Sequence, residues 1–128
     1  MDINKQIDYW RRSALEDLDA AQALVKLGKY RHGLFLAHLS LEKMLKGHVC
    51  RATGDIPPRI HRLTALAEKA GLKLTSRRSI FLGHFDLYQL EGRYPDPSAV
   101  PVPAAECLRE MKKAEDVLKW LTERLLKP

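Results

Sequence analysis

The stretch YRHGLFLAHLSLEKMLKGHVCRA at residues 30–52 decides the fold that the sequence predicts. Its apolar side chains recur at helical spacing, and they form a band wide enough to be buried along most of one side. The pattern predicts a helix that ends before Pro57 and Pro58, because proline cannot donate the helical hydrogen bond. The band consists of Leu34, Ala37, Leu41 and Leu45, with Leu36, Met44 and Val49 beside it.

Four further segments show helical periodicity on either side of this stretch. In residues 3–27 apolar side chains recur at three- and four-residue spacing up to Gly28, and glycine is a favourable residue at which to end a helix. A proline-rich connection at residues 94–103 precedes the last predicted helix. The other predicted helices are those at residues 60–70, 76–92 and 104–126.

The order of these elements predicts an all-α fold, because no stretch alternates apolar and polar residues over the length of a strand. Long helices joined by short connections pack antiparallel. We therefore expect an up-and-down antiparallel four-helix bundle with one additional short helix. A chain of 128 residues has the length of one domain, so residues 1–128 are assigned to a single helical domain.

Composition and charge indicate a soluble protein with anionic partners. Hydrophobic residues make up 45% and charged residues 30% of the chain, which is an ordinary globular composition. No apolar run is long enough to cross a bilayer and the N-terminus lacks the apolar core of a signal peptide, so we expect a cytoplasmic protein with no membrane partner. The net charge of +6 favours RNA or nucleotides as partners, and a merely solvated basic surface is an equally open alternative.

The sequence predicts neither a metal site nor another cofactor. Cys50 and Cys107 are too few for a disulfide scaffold or a zinc site. His38 and Glu42 stand four residues apart and could share a metal ion, but no third ligand is in register with them. The motifs of phosphate-binding loops, zinc peptidases and α/β-hydrolases are absent, which excludes enzymes of those kinds.

The first candidate for chemistry is the run Glu42-Lys43-x-x-Lys46 in the second predicted helix. Lys43 and Lys46 can face a groove and bind phosphate as point charges. Alternatively, Glu42 and Lys46 form an exposed ion pair one helical turn apart. Asp17 on the first helix either pairs with a lysine across the bundle or lies in water.

Two further candidates flank loops. Arg93 offers a planar fork for phosphate and Tyr94 a stacking face for a base. Alternatively, Arg93 caps helix carbonyls while Tyr94 closes the end of the bundle. His61 follows two prolines, and it either contacts a nucleotide or forms hydrogen bonds with its own loop.

The last candidate is an arginine–histidine combination in the fourth predicted helix. Seven residues separate Arg77 from His84, so at about 100° per residue the two lie roughly 20° apart around the helix. In one cleft the histidine can act as a general acid or base while Arg77 or Arg78 stabilises charge on a phosphorane. The alternative is solvated arginines beside a partly buried histidine.

Taken in order, these residues resemble a HEPN domain, a helical domain named for nucleotide binding in higher eukaryotes and prokaryotes. The most specific parts are the Glu-Lys-x-x-Lys helix and the run Arg93-Tyr94-Pro95-Asp96, and the likeness covers nearly the whole chain. The residues that carry it are Trp10, Ala14, Asp17, Leu18 and Ala21, then Tyr30, the run from Ala37 to Lys46, then Pro58, His61, Leu63 and Leu66, and finally Tyr88 and the run from Gly92 to Asp96.

The resemblance implies a dimeric helical bundle that is often encoded beside a small nucleotidyltransferase as a two-component, toxin–antitoxin-like pair. We therefore expect a homodimer that binds a nucleotide or a substrate phosphate while a nucleotidyltransferase partner supplies catalysis. A bundle with one apolar face exposed would also be unusual as a monomer. The binding residues expected on this interpretation are Lys43, Lys46, His61, Arg93 and Tyr94.

The resemblance also leaves an alternative open. Many HEPN proteins are metal-independent ribonucleases that use an arginine and, four to six residues later, a histidine. His84 with Arg77 or Arg78 matches this pattern loosely, but a polar residue such as asparagine usually follows the arginine, and here Arg78 or Ser79 stands there. The binding module is the favoured interpretation and the ribonuclease is the alternative.

Overall fold

A computed structural model describes residues 2–94, 96–98 and 100–127, and the described chain is entirely helical apart from its connections. The predicted all-α class is therefore confirmed. The bounds agree with prediction to within one residue, except for the third helix, which starts three residues later than expected. The helices are α1 (Ile3–Lys26), α2 (Tyr30–Thr53), α3 (Leu63–Lys69), α4 (Ser76–Arg93) and α5 (Ala104–Leu126).

The late start of α3 follows from the two prolines before it. The backbone N–H of Ile60 donates to the carbonyl of Pro58, which makes a turn rather than a helix. Arg62, the residue before α3, has an extended backbone. His61 therefore lies on the loop before α3 and not within the helix.

Small residues let α1 and α2 approach closely. A Cβ atom on Gly33 would lie 2.5 Å from a methyl carbon of Val25, and one on Gly47 would lie 3.6 Å from the Cβ of Trp10. Between these two places, the Ser40 hydroxyl donates to a carbonyl of α1 over 2.6 Å. Later residues of α2 thus meet earlier residues of α1. The two helices are therefore antiparallel, as predicted.

α2 lies at the centre of the bundle, and each of the other four helices packs against it. α4 runs antiparallel to α2, because His38 meets Asp86 and Phe35 meets Arg93. α5 lies on another side of α2, where the ring of His48 contacts the Leu121 carbonyl. The large side chains buried almost completely in the shared core include Leu34, Leu41, Met44, Leu45, Phe85 and Leu121.

α4 and α5 flank α2 without packing closely against each other. An open cleft of about 870 Å³ therefore separates them. No helix in the described part of the chain is long and apolar enough to cross a membrane.

Candidate functional site

Glu42 is the centre of a buried polar cluster between α2, α3 and α4. Its side chain is only 4% exposed, and Lys46 donates to it over 3.1 Å. Nδ1 of His61 lies 3.1 Å from the other carboxylate oxygen, to which only a protonated ring nitrogen can donate. The predicted pair of Glu42 and Lys46 thus forms, but it is buried rather than exposed.

Asp86 extends the cluster toward α3. One of its carboxylate oxygens lies 2.8 Å from Nε2 of His38 and accepts the backbone N–H of Leu63 over 3.1 Å. Asp86 therefore caps the start of α3 and anchors that helix to α4. The sequence analysis missed Asp86. Among the described residues, no group of three or more His, Cys, Asp or Glu side chains is arranged so that it could hold a metal ion.

Lys43 lies on the other side of α2, against α1. Its ammonium group lies 2.8 Å from an Asp17 carboxylate oxygen and donates to the Ser13 hydroxyl over 2.8 Å. Of the two alternatives that the sequence left open for Asp17, the structure shows the one in which it pairs with a lysine across the bundle. This ion pair engages Lys43 within the bundle.

Arg93 and Tyr94 lie at the end of α4, near the start of α2. The Arg93 guanidinium carbon is 5.6 Å from the centre of the Phe35 ring. Tyr94 is 73% exposed, so it does not close the end of the bundle. Pro95, which belongs to the same motif, lies outside the described residues.

The five residues of the predicted basic groove are therefore dispersed, contrary to the expectation that they converge. Phe35, which contacts Arg93, lies eleven residues before Lys46, or about 16 Å along α2. Lys43, Lys46 and His61 are engaged by Asp17 or Glu42. The physical reason is that the buried Glu42 and the partly buried Asp17 each need a cationic partner within the protein.

The residues of the alternative interpretation do come together, in the cleft between α4 and α5. Spacings of three and four residues place the α4 side chains along one face of that helix. From α4 the cleft is lined by Arg77, Arg78, Ile80, Phe81 and His84. From α5 it is lined by Glu110, Lys113, Asp116 and Val117.

Two aromatic residues that contact lining residues, without lining the cleft themselves, indicate how it is oriented. At one end the Arg78 guanidinium carbon lies 4.0 Å from the centre of the Trp120 ring, within reach of a cation–π interaction. At the other end lies the buried Tyr88, and burial followed by the negative charge of Glu110 raises the pKa of its phenol. α5 runs parallel to α2, because His48 meets Leu121 and Arg51 meets Leu125. Since α4 runs antiparallel to α2, α4 and α5 are antiparallel across the cleft.

His84 lies between these ends and is exposed. Its ring stands edge-on to the Tyr88 ring, with 6.2 Å between the ring centres. Among the described residues no hydrogen bond or ion pair engages His84. The imidazole is thus open to a ligand. The alternative from the sequence, a partly buried histidine, is wrong, because the side chain is exposed.

Glu110 and Lys113 line the cleft, and the sequence analysis missed both of them. The Glu110 side chain is only 10% exposed, and the nearest cation, the ammonium of Lys113, lies 3.6 Å from one carboxylate oxygen. The other oxygen, Oε2, is buried without a hydrogen-bond partner. Glu110 stands three residues after Cys107 and one before Met111, so a carboxylate within an apolar helical stripe was the available signal.

The cleft can hold an anion at its rim. Arg77, Arg78 and Lys113 carry positive charge there. Asp116, a carboxylate in the lining, lies 3.1 Å from the Lys112 ammonium and is already paired. Phosphate and carboxylate both suit guanidinium groups, because the planar fork of the guanidinium matches their oxygens.

Comparison with known proteins agrees with this helical architecture. The HEPN domain family model matches residues 7–125. The fold is similar to the crystal structure of an archaeal HEPN homologue, with a TM-score of 0.63, 23% sequence identity, and coverage of 93% of this chain and 97% of that one. No curated protein shows significant similarity to the chain.

The buried cluster generates a stability prediction. Replacing Lys46 by Met leaves the Glu42 carboxylate buried without its lysine, and we expect a loss of about 3 kcal/mol in the free energy of unfolding. Lys112→Met is the matched control, because Lys112 also pairs with an acid four residues away over 3.1 Å but is 74% exposed. That change should cost no more than about 0.5 kcal/mol.

Urea denaturation followed by circular dichroism measures both variants. Similar losses for Lys46→Met and Lys112→Met would contradict the assignment of a structural role to the Glu42 cluster.

Proposed function

Since the chain belongs to the HEPN domain family, we propose that it is a nucleotide- or RNA-binding module that holds phosphate groups in the cleft between α4 and α5. One observation carries the proposal: Arg77, Arg78 and Lys113 line one open cleft. By contrast, Lys43, Lys46 and His61 are engaged by carboxylates inside the bundle. A ligand can bind Arg77 and Arg78 without breaking an ion pair, and Lys113 has only a long contact of 3.6 Å with Glu110 to give up.

The layout of the cleft suits a chain of phosphates. Arg78 is positioned by its contact with the Trp120 ring at one end of the cleft. His84 follows seven residues after Arg77, about 10 Å further along α4. Successive phosphates of one strand can therefore contact the arginines and then the region of His84 and Lys113.

Lys46 and His61 keep an indirect role in this proposal. Together with Glu42 they join α2 to the loop before α3. Asp86 then joins α3 to α4. These contacts fix α4 on α2 and so support one wall of the cleft.

RNA cleavage is the second candidate function, and the exposed imidazole of His84 favours it. In a metal-independent reaction the 2′-hydroxyl attacks the adjacent phosphorus while the bond to the 5′-oxygen breaks, which leaves a 2′,3′-cyclic phosphate and a 5′-hydroxyl. His84 can accept the 2′-hydroxyl proton or protonate the departing oxygen. The guanidinium of Arg77 can stabilise the charge that develops on phosphorus oxygens.

We extend the proposal to a homodimer and to a nucleotidyltransferase partner, on the basis of family membership. α4 also exposes three apolar side chains, Ile80, Leu87 and Leu90, which are 73%, 44% and 53% exposed. An interface would remove such apolar surface from water.

We expect light scattering of the purified chain to give the mass of two chains, and the mass of one chain would contradict the homodimer.

The binding proposal predicts that Arg77→Ala weakens the binding of a fluorescent single-stranded RNA about 10- to 100-fold, since charged hydrogen bonds contribute about 1.5–3 kcal/mol each. Fluorescence anisotropy at two salt concentrations measures this. Arg12→Ala is the control, because it removes the same charge from an arginine on α1 that is 64% exposed. Equal losses for the two variants would show that only net charge matters and would contradict the cleft assignment.

The cleavage candidate predicts that the protein cuts single-stranded RNA in the presence of EDTA. His84→Ala should slow cleavage by about 10² to 10⁴, the usual contribution of a general acid or base. His32→Ala is the control, because His32 is exposed on α2 and away from the cleft. RNA that stays intact with the unmodified protein rules out cleavage, while the binding proposal is judged on anisotropy alone.

A further inference from the structure

Glu110 is a buried acid that phosphate binding does not explain. A carboxylate repels phosphate, yet Glu110 lines the same cleft as Arg77, Arg78 and Lys113. Its Oε2 atom is buried without a partner. A buried charge without hydrogen bonds is costly, so an unpaired carboxylate oxygen in a cleft indicates a missing donor.

Lys113 does not supply that donor. Its ammonium lies 3.6 Å from Oε1 of Glu110, longer than a hydrogen bond, and its side chain is 59% exposed. Such a pair contributes little, because water competes for the lysine. Oε1 can therefore accept a hydrogen bond from a ligand directly, and a change of the Glu110 side-chain rotamer toward the cleft would present Oε2 beside it.

The wall of the cleft between Glu110 and Arg78 is apolar and aromatic, which suits a flat ring. Phe81 and Val117 line the cleft and are each only 8% exposed, whereas Ile80 projects into solvent. The Phe81 ring is held in place by Phe85, with 5.0 Å between the ring centres. A base lying on this surface would direct its edge toward the carboxylate while its phosphate reached the basic rim.

The order of residues along the cleft agrees with this placement. Because α4 and α5 are antiparallel and Arg78 meets Trp120, Glu110, ten residues before Trp120, lies near Tyr88, ten residues after Arg78. Arg78 belongs to the opposite end, against Trp120. A nucleotide can therefore place its base at Glu110 and its phosphates toward the arginines.

We propose that Glu110 reads the edge of a nucleobase and selects guanine, an inference that rests on the proposed function of the cleft. A carboxylate only accepts hydrogen bonds. Guanine presents two adjacent donors, N1–H and the 2-amino group, that match its two oxygens. Adenine, cytosine and uracil each present one donor beside a ring nitrogen or carbonyl acceptor, which a carboxylate repels.

Three RNA octamers test this inference: oligouridine with one central guanosine, the same strand with inosine, and uridine alone. Inosine keeps N1–H and lacks the 2-amino group. We expect the guanosine strand to bind about tenfold or more tightly than either of the others, because a site built for a donor rejects the analogue that lacks it. Fluorescence anisotropy at one fixed salt concentration measures the three affinities.

Glu110→Gln should abolish this preference, since the amide replaces one acceptor by a donor of the same shape. Glu123→Gln is the matched control, because Glu123 is an exposed glutamate on the same helix. Urea denaturation is the second readout. Removal of an unpaired buried charge should leave the free energy of unfolding of Glu110→Gln unchanged or higher, whereas a structural acid would show a loss.

The outcomes separate this inference from the proposed function. Equal affinity for the three strands, together with weaker binding by Arg77→Ala, would overturn the role of Glu110 and leave the phosphate cleft in place. A guanosine preference that survives in Glu110→Gln would likewise overturn it. No binding of any strand would overturn the proposed function itself, and the base selection with it.

Discussion

The burial of α2 by all four of the other helices is the constraint on which the rest of the structure depends. A helix covered on every side must be apolar or internally satisfied around most of its circumference. α2 meets this demand with leucines toward the core and with small residues toward α1, where Gly33 and Gly47 allow close approach. Because α4 and α5 each occupy a side of α2, their backbones stay apart and the cleft between them remains open.

The same burial explains why α2 carries an internal polar cluster. Glu42 and Lys46 lie on sides of α2 that other elements cover, so each needs a partner within the protein. A buried ion pair of this kind contributes little net stability compared with apolar side chains, but the loss of one member is costly. The cluster holds the loop before α3 through His61, and Asp86 holds α3 itself. The cations of this cluster therefore serve to hold the elements of the bundle together.

The cleft has the opposite balance. Its arginines and histidine are not paired with carboxylates of the described chain, and its most buried acid lacks a hydrogen-bond donor. Local rules of polar satisfaction tend to fail at functional sites, where a ligand completes them. The cleft therefore differs from the rest of the surface in two ways. It has cations at its rim, and inside it has a hydrogen-bond acceptor that lacks a donor.

The sequence by itself determined the helices, because the period of apolar residues and the positions of glycine and proline act locally. It also placed Arg77 and His84 on one face of α4, since helical geometry fixes that angle. It could not determine which charges would be buried, because burial depends on which distant helix covers a given face. Lys46 and the half-exposed His61 both contact Glu42 because the fold brings them beside it, and Glu110 is buried although it lies on a helix at the surface of the bundle. Only the tertiary structure decided which cations face one another and which remain open to a ligand.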